Sequence, residues 1–246
     1  MTRLLSLLLC LALLLAAPAS AAVAKNAGDS GTPQVATGFG SGATSLSHTG
    51  YTIGAGSDIY LIAIIGLANA TPSDVSNVAI TWNSVSMTRL GTGIYNDVRV
   101  ELFYLASPAT GNHTAAATWT TGADAVLGLI SFTGAATPID FATNSGSANP
   151  ISTGAITADA AGATVGAGGQ RSNLTSPSGG TSLYVDNTNW AASGVSYAVG
   201  SASSDTYTWQ VAPGNWSAAG AHIPAASAGG GGGSPPNGLS LLGAGR

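Results

Sequence analysis

The residues able to do chemistry here are three histidines, His48, His113 and His222, ten carboxylates and a large excess of hydroxyls. A nucleophilic serine needs an imidazole within hydrogen-bond reach and a carboxylate to orient that imidazole. The Gly-x-Ser-x-Gly elbow does not occur, and the strand-turn-helix setting it requires has no counterpart in the pattern. His48 lies in a Ser/Thr-rich stretch and His113 follows a turn, so both are expected to face solvent. His222 falls in a late strand and is expected to be half-buried. Glycoside hydrolysis would need two carboxylates about 5–10 Å apart in a cleft. Glu101 is the one glutamate and alternates with Arg99 on a single strand face; an ion pair accounts for both. Asp29, Asp58, Asp74, Asp97, Asp124, Asp140, Asp159, Asp186 and Asp205 mostly stand beside Gly, Ser, Asn or Pro, where aspartate builds turns. No catalytic residue is expected.

Metal ligation has little to draw on. Calcium would favour the oxygen-rich Asp186-Asn187-Thr188-Asn189 or Asn96-Asp97, but neither has the EF-hand spacing and a plain turn explains each. Zinc would have three scattered histidines. Neither a metal nor a cofactor is expected. Aromatic side chains are the remaining lead, because a flat ring offers apolar area with a polar tip. Trp190, Asn189 and Tyr184, in or beside the Asp186–Ser193 stretch, and Tyr95 beside Asn96, are the candidate ligand-binding residues. Trp82, Trp119 and Trp209 sit in alternating stretches and read as core, and Trp216 fits either role.

These side chains must be positioned by strands. The first 22 residues form a leader: Arg3, a leucine-rich run over Leu4–Ala16, then Pro18 and small residues. This is the pattern of a cleaved signal peptide, and the run is too short to span a bilayer. Ala19-Ser20-Ala21 offers one cut and Ala22-Val23-Ala24 a second. Cys10, the only cysteine, lies inside that run, whereas lipidation needs the run ahead of the cysteine; the mature chain is expected to be free of thiols. Residues 23–34 are a polar lead-in expected to be flexible, and one domain is expected over 35–226. From 227 a Gly/Pro-rich tail, with five glycines at Gly229–Gly233, is expected to be disordered.

Only 7% of residues are charged and 45% are hydrophobic. The surface is therefore built from Ser, Thr, Asn, Gly and Ala. Six basic residues against ten acidic leave a net charge of −4 and no basic patch, which excludes phosphate-driven nucleic-acid binding and a polybasic membrane contact. Within 35–226, short β-branched and aromatic runs alternate with Gly, Asn, Asp and Ser. Ile59–Ile65 is a continuous apolar run expected to be a strand buried on both sides. Val78–Trp82 and Val85–Arg89 flank Asn83-Ser84, which predicts a tight hairpin. Val98–Leu105 alternates, with Val98, Val100, Leu102 and Tyr104 on one face and Arg99, Glu101, Phe103 and Leu105 on the other. Ala125–Thr133 is another apolar strand. Weaker strands are read at Ile151–Thr157, Gly162–Gly168, Thr181–Asp186, Val195–Val199, Tyr207–Val211 and Trp216–Ile223. No stretch has helical periodicity, so the fold class is all-β, a two-sheet antiparallel sandwich.

The succession Tyr51-Thr52-Ile53, Ile59–Ile65, the hairpin Val78–Arg89, Val98–Gly111, Val126–Gly134 and Trp216–Pro224 resembles a jelly-roll-like β-sandwich domain of secreted and surface proteins of bacteria and of phage tail proteins. Asn83-Ser84 stands where such domains usually have glycines, which alters the turn and not the fold. The resemblance implies extracellular or cell-surface display and an adhesive role, and brings no catalytic residues. The expected function is a structural or adhesive module whose partners are glycans or other surface proteins, with self-association through edges poor in Lys and Glu. A carbohydrate-binding module using exposed aromatics is the alternative, and a polysaccharide-acting hydrolase of sandwich fold a more distant one.

Overall fold

Long apolar runs without helical periodicity can satisfy their backbone only by pairing with one another, and among the described residues every regular element is a strand. The structure is a computed structural model that describes residues 22–31, 34–36, 43–69, 76–175, 177–187, 191–201, 203–210 and 213–227. Residues Ala21–Ala226 form one compact unit. The first half supplies β1 (Ala24–Lys25), β2 (Gln34–Ala36), β3 (Ser45–Ile53), β4 (Tyr60–Ala68), β5 (Ala79–Trp82), β6 (Val85–Ser86), β7 (Thr88–Tyr95), β8 (Val98–Ala106), β9 (Gly111–Thr118) and β10 (Asp124–Thr133). The second half supplies β11 (Ile139–Gly146), β12 (Ile151–Ser152), β13 (Ile156–Thr157), β14 (Ala163–Gln170), β15 (Thr181–Asp186), β16 (Ala192–Val199), β17 (Ser204–Asp205), β18 (Thr208–Trp209) and β19 (Trp216–Ile223).

The pairing is antiparallel throughout. A middle sheet runs β1-β10-β4-β8-β7, with β2 also on β10. The sheet β3-β9-β5-β6 covers one of its faces, and β11-β19-β14-β16-β15 covers the other. The expected antiparallel sandwich is therefore present, with a third sheet stacked on it. The period-2 alternation of a strand explains this directly. Leu61, Ala63, Ile65 and Leu67 of β4 enter the core shared with β3, β5 and β9, whereas Ile62, Ile64 and Ala68 enter the core shared with β14, β16 and β19. The two faces of β8 divide likewise, Phe103 to one core and Val100 and Leu102 to the other. The continuous hydrophobicity of β4 and β10 is thus the signature of two buried faces.

The outer face of β14, β16 and β19 carries a smaller core, with Ile151, Ile156, Leu174, Tyr207, Trp209 and Trp216. It lies beneath the short ladders β12-β18 and β13-β17. Rings there rest on bare backbone: a Cβ on Gly166 would meet the Tyr207 ring at 2.2 Å, and one on Gly168 the Trp209 ring at 2.8 Å. Several of the chain's glycines are therefore packing surfaces and not breakers. The hairpin at Asn83-Ser84 is as tight as expected, with positive φ at both residues and Trp82 opposite Val85.

The lead-in is not loose where it is described. Val23 is buried, β1 adds to the edge of the middle sheet, and Asn26 donates to the Gly54 carbonyl oxygen at 2.8 Å. Its polarity is taken up by these backbone partners, which composition alone does not reveal. Apart from Ala22 and Ser227, the leader and the tail lie outside the described residues.

Candidate functional site

The ionisable groups are mostly engaged in holding strands together. Glu101 is fully buried between two guanidinium groups: Arg99 from the same face of β8, as expected, and Arg89 of β7, whose Nε lies 2.7 Å from Oε2. Asp97, in the turn between β7 and β8, pairs with Arg171 and accepts from Asn215 Nδ2 at 2.9 Å. It thereby ties the first half to the second, and both carboxylate oxygens have protein partners. Asn187, in the other oxygen-rich stretch, accepts from the Leu174 N–H at 2.7 Å and donates to the Leu174 carbonyl at 2.9 Å. Among the described residues, no three His, Asp or Glu side chains come together as a metal centre would require.

Two places bring the components of a hydrolytic triad near one another. Asp29 accepts from Ser131 Oγ and from the Ser131 N–H, both at 2.7 Å, and from the Tyr51 hydroxyl at 2.9 Å. Both hydroxyls donate to the carboxylate directly, with no imidazole between, so the serine is anchored and not activated. Burial, and then the Asp29 charge, push the Tyr51 phenol well above its ordinary range. His48 packs edge-on to Tyr51 at 5.5 Å and is buried, contrary to the expectation of a solvent-facing ring. It sits just ahead of the irregular register between His48 and Tyr51 in β3, a feature its Ser/Thr neighbours do not betray.

At the far end of the second half, His222 Nε2 lies 3.0 Å from Asp159 Oδ2. Asp159 Oδ1 accepts the N–H groups of Ala161 and Gly162 at 2.9 and 2.6 Å. His222 is more deeply buried than the half-buried position expected. Nearby Asp140 is held below the usual carboxylate range by hydrogen bonds from Thr157, with His222 a lesser contributor. No hydroxyl stands within bonding reach of His222 among the described residues.

The aromatic candidates separate. Trp190 and Asn189 lie outside the described residues. Tyr184 is not an exposed platform: it is 8% exposed and belongs to the core facing the middle sheet. Its ring fills the space that Gly128 leaves on β10, where a Cβ would lie 2.3 Å away, and its hydroxyl is 3.5 Å from Ser193 Oγ. Burial raises its phenol pKa. Tyr95 is half-buried at the end of β7, beside the Asn96-Asp97 turn. Trp82, Trp119 and Trp209 are core residues, and so is Trp216. The indole N–H groups of Trp82, Trp119 and Trp216 donate to the carbonyls of Ala109, Ala43 and Ala148.

A concavity the sequence reading missed lies at the hairpin end of the sheet β3-β9-β5-β6. It is a polar groove of about 330 Å³ lined by Thr81, Asn83, Ser84, Asn112, His113 and Thr114, with Ala116. The β5–β6 turn lifts Asn83 and Ser84 to one rim, and the start of β9 brings Asn112, His113 and Thr114 to the other. The Asn83 N–H donates to the Thr114 carbonyl at 3.0 Å and fixes the two rims together. His113 stacks edge-on to buried Trp82 at 5.6 Å, and its Nε2 donates to the Thr110 carbonyl at 3.0 Å. That bond occupies Nε2, and the lining holds no carboxylate. The groove offers amide and hydroxyl hydrogen-bonding groups, a set suited to binding. Each residue is unremarkable in the sequence, and only the cross-strand register of β5 with β9 assembles them. No protein-family model matches the chain, and no curated protein matches it either.

Proposed function

We propose that this is an exported, non-catalytic β-sandwich that works in surface display or adhesion. The observation that carries the reading is the engagement of the acidic side chains: Asp29, Asp97, Glu101, Asp159 and Asp205 each bond to backbone, arginine or hydroxyl groups of the fold itself. The described outer sheet β3-β9-β5-β6 presents outward Ser45, Ser47, Asn112, Thr114 and Thr118 together with Ala79, Val85 and Ser86, without a charged side chain among them. Such a surface recognises partners through neutral hydrogen bonds, and other surface proteins, glycans or further copies of the chain are its partners. The purified exported chain, assayed on ester and glycoside substrates and on immobilised cell-surface material, is expected to bind without turnover. Turnover that disappears in His222→Ala or Glu101→Gln would refute the reading.

Carbohydrate binding is the second reading, and the polar groove favours it. Amides and hydroxyls at facing rims match the hydroxyl groups of a sugar. On a glycan array, Asn83→Ala combined with Asn112→Ala should abolish specific binding if the groove is the contact. Loss only in Trp190→Ala would assign the contact to Trp190 instead.

A further inference from the structure

We infer that the polar groove beside the β5–β6 turn selects neutral glycans over acidic ones, reading them through amide and hydroxyl hydrogen bonds with no charged contact. This rests on the carbohydrate-binding reading above. No residue of the lining carries a carboxylate, an ammonium or a guanidinium group.

Elsewhere the fold turns its amides on itself. Asn26, Asn69, Asn187 and Asn215 each donate to a carbonyl or carboxylate of another segment. The groove is different. Asn83, Ser84 and Thr114 are exposed, and among the described residues their side chains make no hydrogen bond with the protein. Asn112 is exposed too, and its Nδ2 reaches only Thr52 Oγ1, at 3.4 Å. The backbone that carries these groups is nonetheless fixed. The Asn83 N–H is held by the Thr114 carbonyl, and Asn112 stands opposite Thr52 in the β3–β9 ladder. Two carboxamides and two hydroxyls therefore line a positioned groove with donors and acceptors still open, which is the complement that sugar hydroxyls need. A hydroxyl that leaves water for such partners loses little. A uronate or sulfate group would give up its hydration and find no cation in return.

The test titrates the purified chain with neutral oligosaccharides of glucose, galactose and N-acetylglucosamine, and with uronate and sulfated oligosaccharides of the same length. The buffer is set at about pH 8, where an imidazole is ordinarily neutral. Neutral sugars are expected to bind about tenfold more tightly than acidic ones. Equal or tighter binding of the acidic sugars would overturn the selectivity while leaving carbohydrate binding standing. No binding of any saccharide would overturn that reading and this inference with it. Two variants tie the effect to the groove. Asn83→Gly keeps the positive φ of the turn and removes the amide, and should weaken neutral binding about 2- to 12-fold, the worth of one neutral hydrogen bond. Thr114→Lys places an ammonium on the rim and should swing the preference toward uronates. An unchanged preference in Thr114→Lys would show that the sugar is read elsewhere.

Discussion

The two faces of the middle sheet are closed in different ways. Toward β3, β5 and β9 the packing is of large aliphatic and aromatic side chains from both sides, such as Leu61, Ile65 and Leu127 against Ile53, Ile80 and Trp82. Toward β14, β16 and β19 the middle sheet still contributes Ile62, Ile64 and Phe132, and its partner sets Ala163, Ala167, Ala219 and Ala221 beside Val165, Tyr184, Val195 and Ile223. Glycines carry the closest approaches there, Gly91 beneath Phe141 and Gly128 beneath Tyr184. The first interface gains from side-chain volume on both sheets. The second gains from rings seated on bare backbone beside short side chains. A chain this rich in Ala and Gly still builds a core because its large residues are concentrated on the strands that have two faces to fill.

That difference can be broken most severely at the charge inside the first interface. Removing Glu101 with Glu101→Ala leaves two guanidinium groups without their carboxylate and should cost about 3–5 kcal/mol, read as a lowered denaturant midpoint. The aliphatic contrast comes next. Leu61→Ala on the first face should cost about 2–5 kcal/mol, whereas Ala219→Gly on the second should cost about 1 kcal/mol. Equal losses would mean the two interfaces are not packed by different means. Gly166→Ala tests close approach from the opposite direction: the added methyl must displace the Tyr207 ring, for about 1–3 kcal/mol, and little change would show that the outer layer yields.

The smallest effect is one of pH, and it should touch both regions. Burial raises the phenol pKa of Tyr51 in the first half and of Tyr184 and Tyr207 in the second. A group whose folded pKa is raised gives stability that is complete below its unfolded pKa and is lost as pH climbs beyond it. Stability should therefore hold up to about pH 10 and fall above it. The phenolate absorbance of these three residues should grow in only as the chain unfolds. Phenolate absorbance from these three residues while the chain is still folded would place them nearer to water.

Strands with two buried faces were the most legible part of the sequence, because β4 and β10 need apolar residues at every position. The alternation of β8 also predicted both its two faces and the Arg99–Glu101 pair. The strand β11 was not anticipated, since Thr143, Asn144 and Ser145 lie exposed at a sheet edge and carry no hydrophobic signal. Tyr184 was misplaced because its burial depends on Gly128, distant in sequence, and no local pattern reports such a vacancy. The polar groove was hidden for the same reason, its rims meeting only through the pairing of β5 with β9. The third sheet could not be read from strand count, because strand count does not say which strands share a ladder.

The pairing order of the middle sheet also governs how the chain comes together during synthesis. Strand β4 joins β8 on one side and β10 on the other, so Ile62 waits for Tyr104 and then for Ile130. Until those residues have emerged, the most apolar stretch of the protein has neither edge paired and few charges nearby to keep it from its neighbours. Chaperone demand and the hazard of clumping should thus be greatest for nascent chains that have exposed β4 but not yet β10.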